Sequence, residues 1–193
     1  MKRICVFCGS REGARPVYAE TARTLGGLLA RDGIGLVYGG GGIGLMKVLA
    51  DAVLDAGGTV TGVIPHALTV KEIAHPRVTD LRIVGSMHER KALMAELSDA
   101  FIALPGGYGT LEEFCEVVTW AQLGLHHKPC GLLNVAGFYD PLLAQLDRQV
   151  AEGFLSPATR TLVMESRDPN GLLAAFSRDR SSVSEQPTTL DQT

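Results

Sequence analysis

Residues 101–116 read FIALPGGYGTLEEFCE, and this stretch restricts the fold more than any other. Phe101, Ile102, Ala103 and Leu104 form an apolar run of the length of one buried strand, and Pro105 ends it. Gly106, Gly107 and Gly109 then make a loop with little side-chain bulk, and helical spacing begins after Thr110. A strand, a glycine loop and a helix start in that order form a place for an anion. Glycines let backbone N–H groups approach a ligand, and the first N–H groups of a helix have no partner inside it. Two carboxylates, Glu112 and Glu113, stand directly behind the loop. The pattern points to a phosphorylated ligand with an acid close by.

The same order recurs along the chain. A strand over 3–8 ends in Gly9-Ser10, and one over 34–38 runs into Gly39-Gly40-Gly41-Gly42-Ile43-Gly44 and a helix over 45–56. Further strands are expected over 59–64, 81–84, 130–135 and 160–164, with helices between them and a last helix over 169–177. Strands that are continuous apolar runs and alternate with helices predict an α/β fold: a Rossmann-like, doubly wound, mostly parallel sheet with helices on both faces. Ligands of such sheets bind beyond the carboxyl ends of the strands, where all three glycine turns fall. The 193 residues suit one domain over 1–177, and the polar composition of 178–193 predicts a disordered C-terminal tail. The mixed segment 66–79, with Lys71 and Glu72, reads as a loop with a short helical piece.

Several chemistries lose support from the residues themselves. Net charge is −3 with no basic block, which argues against a nucleic-acid partner. No apolar run approaches the ~20 residues that cross a bilayer, and the short apolar start reads as a strand, so the expected location is the cytoplasm. Gly39, Gly41 and Gly44 fit the dinucleotide pattern, but the next strand ends Val63-Ile64-Pro65-His66 with no acid for a ribose hydroxyl. That loop reads better as one wall of a mononucleotide site. The second loop lacks the Lys-Ser/Thr pair of a triphosphate loop, so a monophosphate fits it best. Cys5 and Cys8 form a C-x-x-C on a strand, where positions three apart face opposite sides. They read as core residues, and with no second ligand pair no metal is expected. His88 reads as a surface residue and His126-His127 as a turn.

Two readings of Glu113 compete. Thr110-x-x-Glu113 has the spacing of a capping box, in which the glutamate braces the helix start. Alternatively the carboxylate serves chemistry beside the phosphate loop. Glu112 leaves the helix about 100° away and has a different task. Upstream, Ser86 and Glu89 also have capping-box spacing, and Arg90 and Lys91 lie one turn into that helix. They are the basic pair nearest in sequence to the phosphate loop.

Three motifs together carry a resemblance: YGGGGIGLM at 38–46, MHERK at 87–91 and PGGYGTLEE at 105–113. With them the chain resembles the LOG ("lonely guy") family, cytokinin-activating phosphoribohydrolases often mislabelled as lysine decarboxylases. The resemblance spans about residues 1–165, and neither of the last two motifs departs from the family pattern. It implies a Rossmann-like fold, a homodimer or larger homo-oligomer, and no cofactor. It also implies hydrolysis of an N⁶-substituted adenosine 5′-monophosphate, or of AMP, to free base and ribose 5-phosphate. Matched by motif, Arg90 and Glu113 would be catalytic. Substrate contacts would come from Glu72, Arg90, Lys91, Gly107, Tyr108, Gly109, Thr110, Leu111, Glu112, Glu113 and Thr119. The alternative is a non-catalytic carrier of a nucleotide or of the molybdenum cofactor on the same fold. A decarboxylase would need a Schiff-base lysine for pyridoxal phosphate. None of the five lysines (Lys2, Lys47, Lys71, Lys91, Lys128) stands in a context that argues for one.

Overall fold

The computed structural model describes residues 1–69 and 74–184. Its seven strands are β1 (Arg3–Phe7), β2 (Gly35–Tyr38), β3 (Val60–Pro65), β4 (Asp80–Val84), β5 (Ala100–Ala103), β6 (Cys130–Leu133) and β7 (Val163–Ser166). Seven α-helices lie between and after them: α1 (Pro16–Arg31), α2 (Gly44–Asp55), α3 (Met87–Glu96), α4 (Tyr108–Gln122), α5 (Asp140–Ala151), α6 (Pro157–Arg160) and α7 (Pro169–Ser184).

All strands join one parallel sheet in the order β4-β3-β2-β1-β5-β6-β7. This is the doubly wound arrangement that the alternation of elements predicts. From β1 the chain winds outward through β2, β3 and β4, then returns to the other side of β1 as β5 and winds outward through β6 and β7, so the topological switch point lies between β1 and β5. There β1 and β5 pair in register, Val6 with Ile102 and Phe7 with Ala103. Just past them, Gly9 N donates to Pro105 O at 3.1 Å. That bond sets the first turn beside the PGG loop.

The sheet is buried on both faces, which is why β2, β5 and β6 are apolar without alternation. One layer packs α1, α2 and α7 on the sheet, with Leu25, Leu29, Leu49, Val53, Leu172 and Phe176 at its centre. The other packs α3, α4 and α5, with Met94, Phe114 and Val117. Cys8 belongs to the first layer and Cys5 to the second, as three-residue spacing on a strand demands. The edge strand β4 is only partly covered.

Several boundaries differ from expectation for identifiable reasons. The last strand is β7 at Val163–Ser166, because Pro157 opens the short α6 and draws Arg160 into it. Ser156 Oγ accepts from Thr159 N at 3.0 Å and caps that turn. Asp140 is the first residue of α5, and its carboxylate accepts from Asn134 Nδ2 at 2.7 Å. Helix α7 continues through Ser184, into the segment expected to be disordered from 178. Helix α4 opens at Tyr108, two residues before Thr110. Among the described residues of 66–79 one 3₁₀ turn, His66–Leu68, is present, and Lys71 and Glu72 fall outside the described residues.

Candidate active site

The site is built where α3 and α4 begin, over the switch point. At α3, Ser86 Oγ accepts from Glu89 N at 3.1 Å. The Glu89 carboxylate reaches back to Gly85 N at 2.8 Å, one residue beyond the usual capping-box partner. The fixed start leaves Arg90 one turn in, facing the ends of β2 and β3. Its side chain is buried, with the residue 4% exposed. Arg90 Nη2 donates to Gly39 O at 2.7 Å and Nε donates to Val63 O at 3.1 Å. Burying an unpaired guanidinium costs several kcal/mol, so these bonds to backbone carbonyls are a condition of its position. The backbone is shaped around it: a Cβ on Gly39 would stand 2.1 Å from Arg90 Nη2.

At α4, Gly107 is extended (φ −97°, ψ −153°) and the helix starts at Tyr108. Leu111 N is the donor to Gly107 O, so the N–H groups of Tyr108, Gly109 and Thr110 have no partner four residues back. The three glycines divide the work. A Cβ on Gly106 would lie 2.1 Å from Thr110 Oγ1, so this glycine lets the loop close on the helix. A Cβ on Gly107 or Gly109 would meet nothing within 4 Å, so these two leave the helix end open to a ligand. Thr110 is the third helical residue and its side chain makes no cap, so the capping-box reading of Glu113 fails.

A cavity of about 270 Å³ joins these parts. Its wall contains Arg90 from α3, Gly107, Tyr108, Gly109, Thr110, Glu112 and Glu113 from the start of α4, and Gly9 and Ser10 from the end of β1. Cys8, Met46, Leu68 and Met87 complete it. The two charges act on the strand beneath: burial pushes the Cys5 and Cys8 thiols up, and the Glu113 carboxylate pushes both further. At Cys5 the Arg90 guanidinium works in the opposite direction.

Three expected contact residues lie elsewhere. Leu111 packs on the core beneath α4. Thr119 Oγ1 donates to Cys115 O at 2.7 Å and lines a different cavity of about 200 Å³, with Val118, Gln122 and Leu146. Lys91 turns its ammonium to Glu112 and Glu116 and is absent from the cavity wall. Glu72 falls outside the described residues. The Gly39–Gly44 loop does not line the cavity either. Its glycines serve close packing: Gly39 accommodates Arg90, and Gly44 (φ +57°) would place a Cβ 2.3 Å from the Ser10 backbone. Among the described residues no cluster of three His, Cys, Asp or Glu side chains could hold a metal ion.

The family model described as "Possible lysine decarboxylase" matches residues 46–176. The chain is 56% identical over 171 residues to a probable cytokinin riboside 5′-monophosphate phosphoribohydrolase of Oryza sativa subsp. japonica, covering 89% of this chain and 77% of the relative. It is 53% identical over 176 residues to the cytokinin riboside 5′-monophosphate phosphoribohydrolase of Rhodococcoides fascians, covering 91% and 89%. An Arabidopsis thaliana enzyme of the same name is 54% identical over 165 residues, covering 86% and 77%. The chain belongs to the LOG family.

Among solved structures, the molybdenum-cofactor carrier protein of Chlamydomonas reinhardtii superposes on this LOG-family chain with a TM-score of 0.70 at 23% identity, covering 94% and 98%. The molybdenum cofactor binding protein of Rippkaea orientalis gives 0.69 at 24%, covering 92% and 97%. That likeness is one of fold. Residue-level reading of the LOG motifs reached the loop and the two charges but missed the apolar wall. Met46 and Met87 both stand inside the quoted motifs, and their place beside glycines and charged residues was the available signal.

Proposed function

We propose that this LOG-family protein is an N-glycosyl hydrolase. It would cleave the C1′–N9 bond of N⁶-substituted adenosine 5′-monophosphates, with AMP among its substrates, and release free base and ribose 5-phosphate. The observation that carries this reading is one cavity joining the open N-terminus of α4 to a buried arginine and to Glu113. The names of relatives more than half identical in sequence support the same reaction.

The 5′-phosphate sits at the amides of Tyr108, Gly109 and Thr110, where helix polarity and free N–H groups favour an anion. Anchored there, the ribose lies along the first turns of α4, within reach of Glu113. Cleavage builds positive charge on the sugar. The Glu113 carboxylate stabilises it and orients or deprotonates the water that adds to C1′, while N9 departs with the bonding pair and takes a proton. Arg90, held by Gly39 O and Val63 O, supplies a fixed positive charge to the same cavity. No described lysine lines it, which disfavours a Schiff-base decarboxylase.

The working unit is a homodimer or larger. Tyr108, 94% exposed, and Leu123 and Leu125 leave apolar surface at both ends of α4, of the kind a partner covers. The protein acts in the cytoplasm; among the described residues no helix is long and apolar enough to cross a membrane. The test is incubation with AMP and with N⁶-isopentenyladenosine 5′-monophosphate, with chromatography of the products. Free base is expected; tight binding without release would favour a carrier.

A further inference from the structure

Lys91 follows Arg90 on α3, yet the two side chains part. Lys91 Nζ donates to Glu112 Oε1 at 2.5 Å and to Glu116 Oε1 at 3.0 Å, on successive turns of α4. Its side chain is only 13% exposed, whereas that of Glu112 is 55% exposed. Glu116 is the more enclosed acid, and its Oε2 is buried with no hydrogen-bond partner. The ammonium is therefore the group that neutralises a carboxylate largely withdrawn from water, a setting in which an ion pair matters more than on open surface. The hydrogen bond to Glu112, then that to Glu116, holds the Lys91 ammonium above the usual lysine range, so it stays charged at any working pH.

Helices α3 and α4 each pack chiefly on the sheet. The strut therefore joins the two elements that carry the cavity's charges, through residues adjacent in sequence to both. Arg90 precedes Lys91, and Glu113 follows Glu112. We propose that Lys91 is a positioning residue: its ammonium ties α3 to α4 through Glu112 and Glu116 and so sets Arg90 against Glu113, without touching the nucleotide. The proposal rests on the hydrolase reading above and departs from the substrate-contact role that the family motif implies for this lysine.

The experiment compares Lys91→Met, Lys91→Arg, Glu116→Gln and the double variant Lys91→Met/Glu116→Gln. It measures steady-state base release from AMP and, by calorimetry, the Kd for AMP. The expected result is a kcat lowered about 10-fold or more in Lys91→Met, with Kd within about 2-fold of wild type. Glu116→Gln, remote from the nucleotide, should give the same signature. The double variant should be no worse than the worse single one, since both remove one interaction. Lys91→Arg should recover most of the rate. Should Lys91→Met not fold, Glu116→Gln carries the test alone. A Kd raised 10-fold or more in Lys91→Met with Glu116→Gln unchanged would overturn the proposal and assign Lys91 to the substrate. Unaltered kcat in both single variants would overturn it too. Calorimetry separates this outcome from failure of the hydrolase reading, which would show as wild type that binds AMP and releases no base.

Discussion

Gly39→Ala is the sharpest single perturbation of the site, because it adds one methyl group where the arginine lies. The new Cβ would stand 2.1 Å from Arg90 Nη2 and 3.2 Å from its Cζ. Carbon–nitrogen contact needs roughly 3.4 Å, so the guanidinium must retreat by about 1 Å. The bond it then loses is Nη2 to Gly39 O, now 2.7 Å. A hydrogen bond from a charged donor is worth about 1.5–3 kcal/mol, and the carbonyl left behind is buried. For a chain of this size that corresponds to a melting point lower by roughly 3–12 °C. If Arg90 acts as proposed, a displacement of about 1 Å costs on the order of 100-fold in rate. Gly107→Ala is the contrasting control: its Cβ meets nothing within 4 Å, so it should leave the melting point within about 2 °C. It should still weaken nucleotide binding, since that space is where the phosphate is placed. Calorimetric melting and base release from AMP read both effects. A Gly39→Ala protein with wild-type melting point and rate would refute the coupling of the glycine loop to Arg90.

Two further outcomes follow from the buried groups. Burial pushes the thiols of Cys5, Cys8 and Cys130 up, that of Cys130 to about 12; burial and then the Glu112 carboxylate also raise that of Cys115, but Cys115 is the one exposed cysteine, on α4. Iodoacetamide at pH 8 should therefore alkylate the folded protein once, on Cys115, and all four cysteines after denaturation; adducts on Cys5 or Cys8 in folded protein would contradict the packing. His75, 2% exposed, ties residues 74–77 to the glycine loop. Its Nε2 lies 3.2 Å from Asp51 Oδ1, its Nδ1 accepts from Arg77 N at 3.3 Å, and its backbone N–H donates to Gly40 O at 3.0 Å. His75→Ala should cost about 2–3 kcal/mol, read as a lower denaturation midpoint, and a neutral substitution would show that these side-chain contacts contribute no stability.

The sheet was legible because its strands are buried on both faces and leave unbroken apolar runs between glycine turns. The PGG loop and its acids were legible for the same reason: few residue types can end a strand and open a helix within four positions. What local spacing does not record is the direction of side chains. Thr110 and Glu113 have capping-box spacing, but Gly107 takes the cap, and the glutamate lies in the cavity wall. Lys91 and Thr119 lie near the site in sequence, yet helix geometry turns one to Glu112 and Glu116 and the other to a second cavity. Arg90 and Gly39 are 51 residues apart, and their fit depends on tertiary packing that no local pattern records. His75 was invisible for the same reason, since its partner Asp51 lies on another element. The reach of α7 to Ser184 went unread because its last turns are polar.

The central claim is that Glu113, held at the open end of α4, turns a nucleotide-binding cavity into a hydrolytic one. It is tested most directly by base release from N⁶-isopentenyladenosine 5′-monophosphate with wild type and Glu113→Gln side by side, with nucleotide binding measured on both. The account predicts equal amounts of free base and ribose 5-phosphate from wild type. It predicts a kcat lower by roughly 10²–10⁴-fold in Glu113→Gln, with the Kd nearly unchanged. Full turnover by Glu113→Gln, or a wild type that binds the nucleotide and releases nothing, would contradict it.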